Sequence, residues 1–163
     1  MIAVLDSTVA IGLAKGRVFV RLRELPWNVH TSPGVRDEVI RQGRGRPGSR
    51  ALGNAIRQGW IHVDRTPVSP TLRFPTALSA TDCEILSIAA SKSADFIRTD
   101  DRVVRREADR MGMICLSSPE VVSLFRRRGL LRRVKPTLDL MRRRSFGIPD
   151  NVYEHVLRDL GEL

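Results

Sequence analysis

The chain is poor in the residues that fasten small folds covalently or through a metal. Its 163 residues include two cysteines, Cys83 and Cys115, with no CxxC spacing and no Cys–His cluster beside them. That argues against a disulfide framework and a zinc site alike. The chain needs neither, because at this length roughly 70% of the unfolded surface is buried on folding. No run approaches the ~18 apolar residues of a membrane span. The start, Met1-Ile2-Ala3-Val4-Leu5-Asp6, lacks the basic leader of a signal peptide and meets an acid within six residues. Low-complexity sequence is missing too, since apolar residues recur along the whole length. The expectation is one soluble, cytoplasmic unit with no membrane contact.

Reactive motifs are equally scarce. There is no GxSxG, Walker loop, GxGxxG or HExxH. His30, His62 and His155 show no metal-ligand spacing, and Cys83 has no histidine near it in sequence. Hydrolysis through an activated serine or cysteine, and nucleotide binding through a glycine-rich loop, are thereby disfavoured.

What the chain has is arginine. Of 28 basic residues 25 are arginine, and the net charge is +10. Residues 98–144 carry thirteen Arg and Lys135 against six acids, a local excess of 14 − 6 = +8. Such an excess favours a polyanion, because phosphate neutralisation releases counterions, and arginine grips phosphate with a bidentate fork.

The apolar pattern alternates short buried runs with helix-like stretches. Strands are expected at Ile2–Leu5, Trp27–Thr31, Ile61–Val63, Asp95–Arg98 and Met113–Leu116. Helices are expected over Ser7–Lys15, Val18–Leu25, from Ser32-Pro33 onward, and over Ser49–Gln58, Thr81–Ser91 and Asp101–Met111. Ser117-x-x-Glu120 reads as a capping box opening a further helix. From Leu130 onward the pattern is helical twice over, broken at Phe146-Gly147-Ile148-Pro149. The proline-containing stretch Thr66–Ala80 reads as an irregular loop. Strands alternating with helices imply an α/β fold with a parallel sheet covered on both faces.

In such sheets ligands bind beyond the carboxyl ends of the strands. Asp6 follows the first strand, and Thr99-Asp100-Asp101 follows the fourth. Glu38 beside the Val35/Val39 stripe, and Asp82 and Glu84 near the start of a later helix, add carboxylates to the same region. Several carboxylates in one cleft repel each other unless a cation sits among them. Hard oxygen donors of this kind suit Mg²⁺ or Mn²⁺, which can orient and deprotonate a water for attack on a phosphodiester. Each acid has an alternative role. Asp6 could cap the first helix, Thr81-x-x-Glu84 is itself a capping-box pattern, Asp82 competes with Glu84, and one of Asp100 and Asp101 is expected to be only a helix cap.

Four segments together resemble the PIN-domain family, which includes VapC-type toxins: Val4-Leu5-Asp6-Ser7-Thr8, Ser32 to Val39, Asp82 to Ala89, and Arg98-Thr99-Asp100-Asp101-Arg102. The stretch from Val134-Lys135-Pro136 to Leu157 resembles a branch of predicted nucleic-acid-binding PIN proteins. The resemblance implies a three-layer α/β/α fold with a central parallel sheet, a single PIN-like domain over 1–163 and a helical C-terminal extension from about 130. It implies a Mg²⁺- or Mn²⁺-dependent endoribonuclease, the toxin of a toxin–antitoxin pair. Asp6, Glu38, Glu84 and Asp101 take the metal-holding and catalytic positions, with Asp100 and Asp82 as secondary candidates. Ser7, Thr8 and Thr99 match the supporting hydroxyl positions, and Arg98, Arg102 and Arg105 are the arginines expected to hold RNA. An antitoxin protein and a homodimer are the implied assemblies. Against this stand a catalytically inactive nucleic-acid-binding PIN module, an interaction scaffold without a polyanion, and a haloacid-dehalogenase-type phosphatase. The last is disfavoured because Thr8 stands where its second acid belongs.

Overall fold

A computed structural model describes all residues, 1–163. Five short parallel strands, β1 (Ile2–Leu5), β2 (Asn28–Thr31), β3 (Ile61–Val63), β4 (Phe96–Arg98) and β5 (Cys115–Leu116), form one sheet in the order β3-β2-β1-β4-β5. β1 lies at the centre, with Val4 opposite His30 of β2 and Leu5 opposite Arg98 of β4. The chain steps outward from β1 to β3, then crosses back to β4 and β5. With right-handed crossovers this covers both faces with helices, and the three-layer α/β/α architecture follows.

The helices begin where their caps dictate. α1 (Ser7–Lys15) is capped by Asp6. α2 (Pro33–Arg36) starts from Ser32, whose Oγ accepts the Val35 amide, and has proline at its first position. α2 runs on into a π-helical turn, Asp37–Gln42, that carries Glu38. α3 is Ser49–Arg57, and α4 (Ala80–Ser91) follows the irregular loop expected before it. α5 is Arg102–Arg110 and α6 is Ser118–Arg127. The last two helices are α7 (Lys135–Arg143) and α8 (Asp150–Asp159).

Two expectations are refined. The helix expected over Val18–Leu25 forms as a 3₁₀ helix over Phe19–Glu24, and Pro26, which has no amide to donate, follows its end. The capping box of α4 is Ser79-x-x-Asp82, not Thr81-x-x-Glu84: the Ser79 amide donates to Asp82 and the Asp82 amide to Ser79 Oγ. Helix α4 therefore starts one residue earlier than its apolar pattern suggests, and Glu84 is freed from capping its own helix.

One apolar cluster runs from Val4 to Leu157 and draws on every layer, with Val134, Leu138, Met141, Ile148 and Val156 from the last two helices packed into it. No helix is long and apolar enough to cross a membrane.

Candidate active site

The register of the central strands places the first residues beyond them side by side. The Asp6 amide donates to the Arg98 carbonyl at 3.0 Å, so Asp6 and Thr99 leave β1 and β4 together. On the other flank the Thr31 hydroxyl donates to the Leu5 carbonyl at 2.7 Å, anchoring β2 just before α2 begins.

Asp6 is 3% exposed. Its Oδ1 accepts the Ser7 amide at 2.6 Å, and its Oδ2 accepts the hydroxyls of Thr8 at 3.0 Å and Thr99 at 2.8 Å. Each of those threonine hydroxyls also accepts an amide: Asp100 donates to Thr8 Oγ1 at 3.0 Å and Asp101 to Thr99 Oγ1 at 3.1 Å. A hydroxyl has one proton to give, so both protons are committed to Asp6. The β4–α5 turn is thereby tied to the Asp6 carboxylate.

Burial pushes the Asp6 carboxyl above the ordinary carboxylate range. The hydrogen bonds from Thr99, Thr8 and Ser7 oppose that rise, and the charge of Asp82 adds to it. None of Asp6, Glu38, Asp82, Glu84, Asp100 and Asp101 belongs to any of the ion pairs in the protein. In a chain with 28 basic residues, leaving all six without a lysine or arginine partner is a pronounced feature.

The remaining acids have local partners. Glu84 Oε2 accepts the Gly34 amide at 2.9 Å, so α4 caps the start of α2 from across the site. Asp101 is the N-cap of α5, its Oδ1 accepting the amides of Val103 and Val104 at 2.7 and 3.1 Å. The capping role of the Asp100/Asp101 pair thus falls on the member expected to be the ligand. Asp100 instead accepts the amide and hydroxyl of Ser118 at 2.8 and 2.6 Å, and burial raises its carboxyl while those bonds lower it. Glu38 is half-buried on the π-helical turn. No three His, Cys, Asp or Glu side chains are close enough to form a ready metal cage. Asp6, Glu38, Glu84 and Asp101 therefore do not converge as a preassembled set, and Asp101 and Glu84 are engaged with helix amides.

Two of the arginines expected at RNA stand at the surface beside this region. Arg102 is exposed, and half-buried Arg105 donates to the Thr99 carbonyl and to Glu120, both at 3.4 Å. The third does not. Arg98 is 1% exposed, and its guanidinium lies 3.5 Å from the centroid of the Trp27 ring and 5.0 Å from that of Phe96. None of its three nitrogens has a hydrogen-bond partner, and burial drives its pKa down to about 9, against the upward pull of Glu120. Assigning Arg98 to RNA is corrected: a side chain on the last residue of a central strand points into the layer beneath its helices, whatever its charge.

Sequence reasoning missed Ser118, whose hydroxyl secures Asp100, and the role of Gly34 at Glu84. The Ser117-x-x-Glu120 signal pointed only to the start of α6. That start forms as expected, with Glu120 accepting the Ser117 amide at 2.6 Å.

The donor chemistry of the site fits a hard divalent cation: a carboxylate almost wholly buried, with no basic partner, among further carboxylates that also lack a lysine or arginine partner. The family model DUF3368, described as a PIN domain, matches residues 2–162. No curated protein matches the chain.

Proposed function

Since the chain belongs to the PIN-domain family, a nuclease-type fold, we propose that it is a metal-dependent endoribonuclease acting at the carboxyl ends of β1 and β4. The observation that carries this reading is Asp6, a buried carboxylate that the protein surrounds with hydroxyls and leaves without a basic partner. A buried carboxylate held by hydrogen bonds alone, with no basic partner, is costly, and a cation that binds there would account for its retention. Asp6 would anchor Mg²⁺ or Mn²⁺, with Glu38, Glu84 and Asp101 as the family-matched partners and Asp82 and Asp100 as alternatives. Such an ion, when bound, supplies a more acidic water and stabilises charge on the leaving oxygen.

The chain's own residues prepare that chemistry. Thr8 and Thr99 fix both the orientation of the Asp6 carboxylate and the path of the turn bearing Asp100 and Asp101. Arg102, exposed at the first residue of α5, is the arginine we assign to a phosphate contact. The positive charge of the chain holds the RNA backbone, so affinity should fall steeply with salt.

The test uses purified protein free of any partner. Mg²⁺ or Mn²⁺ should support cleavage of single-stranded RNA, and Asp6→Asn should reduce it by at least about 10²-fold, the scale expected when metal-assisted water activation is lost. Equal cleavage by Asp6→Asn removes this mechanism.

The unassembled carboxylates favour one second reading, a PIN module that binds RNA without cutting it. It gives salt-sensitive binding with no metal-dependent turnover in the same assay.

The biological setting we assign from the family likeness is the toxin of a toxin–antitoxin pair. Growth arrest on expression, relieved by the protein encoded next to it, would support that setting. The homodimer implied by the same likeness is tested by sedimentation.

A further inference from the structure

A cavity of about 500 Å³ opens where Asp100, the start of α6 and the first turns of α8 meet. Ile148 and Val152 give it an apolar wall, Asn151 and His155 of α8 line it with polar groups, and Arg102 and Arg105 stand on the α5 side. It adjoins the site just described through Asp100. Asp100, which lines it, follows Thr99, and the Asp100 amide is bonded to the Thr8 hydroxyl that serves Asp6.

We propose that this cavity receives one unpaired ribonucleotide of the RNA strand, beside the phosphate that is cut. The proposal rests on the nuclease reading for its biological meaning. Its physical basis is separate. The volume lies within the usual range for small-ligand sites. Ile148 and Val152 offer a flat apolar contact for one face of a base. The Asn151 carboxamide carries both donors and an acceptor, the combination that reads a base edge. The neighbouring guanidinium of Arg102 suits the nucleotide's phosphate.

A bare anion fits less well. Asp100 and Glu120 share the lining, and their negative charge opposes a phosphate that brings no base to bury. A base-paired duplex fits less well still, since its bases are not free to enter a cavity. Helix α8 thereby gains a role beyond packing, presenting Asn151 and His155 to the substrate while Val156 and Leu157 hold it to the core.

Titration of the full chain with each of the four ribonucleoside 5′-monophosphates, followed by amide chemical shifts in metal-free buffer, tests this without any cleavage. At least one nucleotide should saturate, with shifts concentrated in residues 147–156 and around Asp100. Inorganic phosphate should not reproduce them. Asn151→Ala, at an exposed position, should weaken binding roughly tenfold, the scale of one lost polar contact. Val152→Trp should abolish it by filling the cavity, and if that variant does not fold, Asn151→Ala decides the matter.

The proposal is overturned if no nucleotide saturates, if phosphate alone gives the same shifts, or if Asn151→Ala binds as tightly as the wild type. Failure of the nuclease reading and failure of the cavity are therefore distinguishable: RNA cleavage with unaltered Asn151→Ala binding sinks only the second, and Asn151-dependent binding without cleavage sinks only the first.

Discussion

Two residues, Asp6 and Arg98, show how burial changes the meaning of a charge. Burial raises the Asp6 carboxyl, so the folded protein holds its proton more tightly than the unfolded chain. Stability from that difference is full below the unfolded value near 3.8 and declines as pH rises through the folded value. Without metal, ionising that carboxyl is thus a cost to the fold. Wild type without metal should therefore lose more melting temperature than Asp6→Asn between pH 4 and pH 7, since the variant has no carboxyl to ionise there. Adding Mn²⁺ should raise the melting temperature of wild type but not of the variant, since only a ligand bound by the native state stabilises it. Equal pH dependence of the two proteins would contradict the account.

Arg98 makes the opposite case, a cation the protein buries against Trp27 without an anion. Arg98→Met keeps the long apolar stem and removes the charge, so its stability should lie within about 1 kcal/mol of wild type or above it. Arg98→Ala leaves a void and should cost about 2–4 kcal/mol. Urea unfolding separates the two. Neither change should alter the salt slope of RNA binding, whereas loss of a phosphate-contacting arginine reduces that slope by nearly one.

At the scale of elements, the close approach of α2 and α4 builds one side of the site. A Cβ on Gly34 would stand 2.6 Å from Thr81 Oγ1 and 2.8 Å from Glu84 Oε2. Gly34→Ala should therefore disturb the Glu84 cap and cost about 1–2 kcal/mol by urea unfolding. Thr81→Ala in the same chain should recover part of the loss by removing the nearest atom; no recovery would place the strain elsewhere.

A second junction ties β2, β3 and α4 together. Asp64, just past β3, lies 2.9 Å from Lys92 Nζ and 3.4 Å from His30 Nδ1, and its Oδ1 accepts the Thr66 hydroxyl at 2.6 Å. Burial alone would raise Asp64, but the Thr66 and Lys92 bonds outweigh it and hold its pKa at about 2. The stability it supplies is present above the unfolded value of 3.8 and is lost as pH falls through about 2. His30 is kept neutral by burial and by Lys92, so its contribution also declines on acidification. Asp64→Asn should destabilise the protein at pH 7 by about 2 kcal/mol, the linkage equivalent of that shift. The difference from wild type should narrow below pH 4, as acid-range thermal melts would show.

Element boundaries were legible where caps are encoded locally. Ser32-Pro33 and Ser117-x-x-Glu120 start helices as expected. The Ser79/Asp82 box was hidden because Thr81-x-x-Glu84 fits the same pattern two residues on. Local sequence cannot choose between them when the deciding contact, Glu84 with Gly34, spans fifty positions. The π-helical turn bearing Glu38 left no sequence signal of its own.

Across the whole molecule, the last two helices belong to the same core as the sheet layers. Glu162 secures them: its carboxylate accepts the amides of Val134 and Lys135 at 2.9 Å, capping α7, and lies near Arg126 and Arg133. Glu162→Ala should cost about 1–2 kcal/mol, the scale of a lost helix cap in a half-buried setting. If urea unfolding shows no loss, α7 is held by packing alone.

The sequence by itself determined the alternation of strand and helix, and with it the parallel sheet and the strand ends that Asp6 and Thr99-Asp100-Asp101 follow. Those features depend on periodicity and caps, which are properties of neighbours in the chain. It also singled out Asp6, because an acid ending a buried central strand has few other places to go. Only the tertiary structure decided which carboxylates stay unengaged, that Arg98 faces inward, and that α8 closes a cavity beside Asp100. Those outcomes depend on which groups meet across tens of residues, and a carboxylate or guanidinium takes its character from that company rather than from its position in the chain.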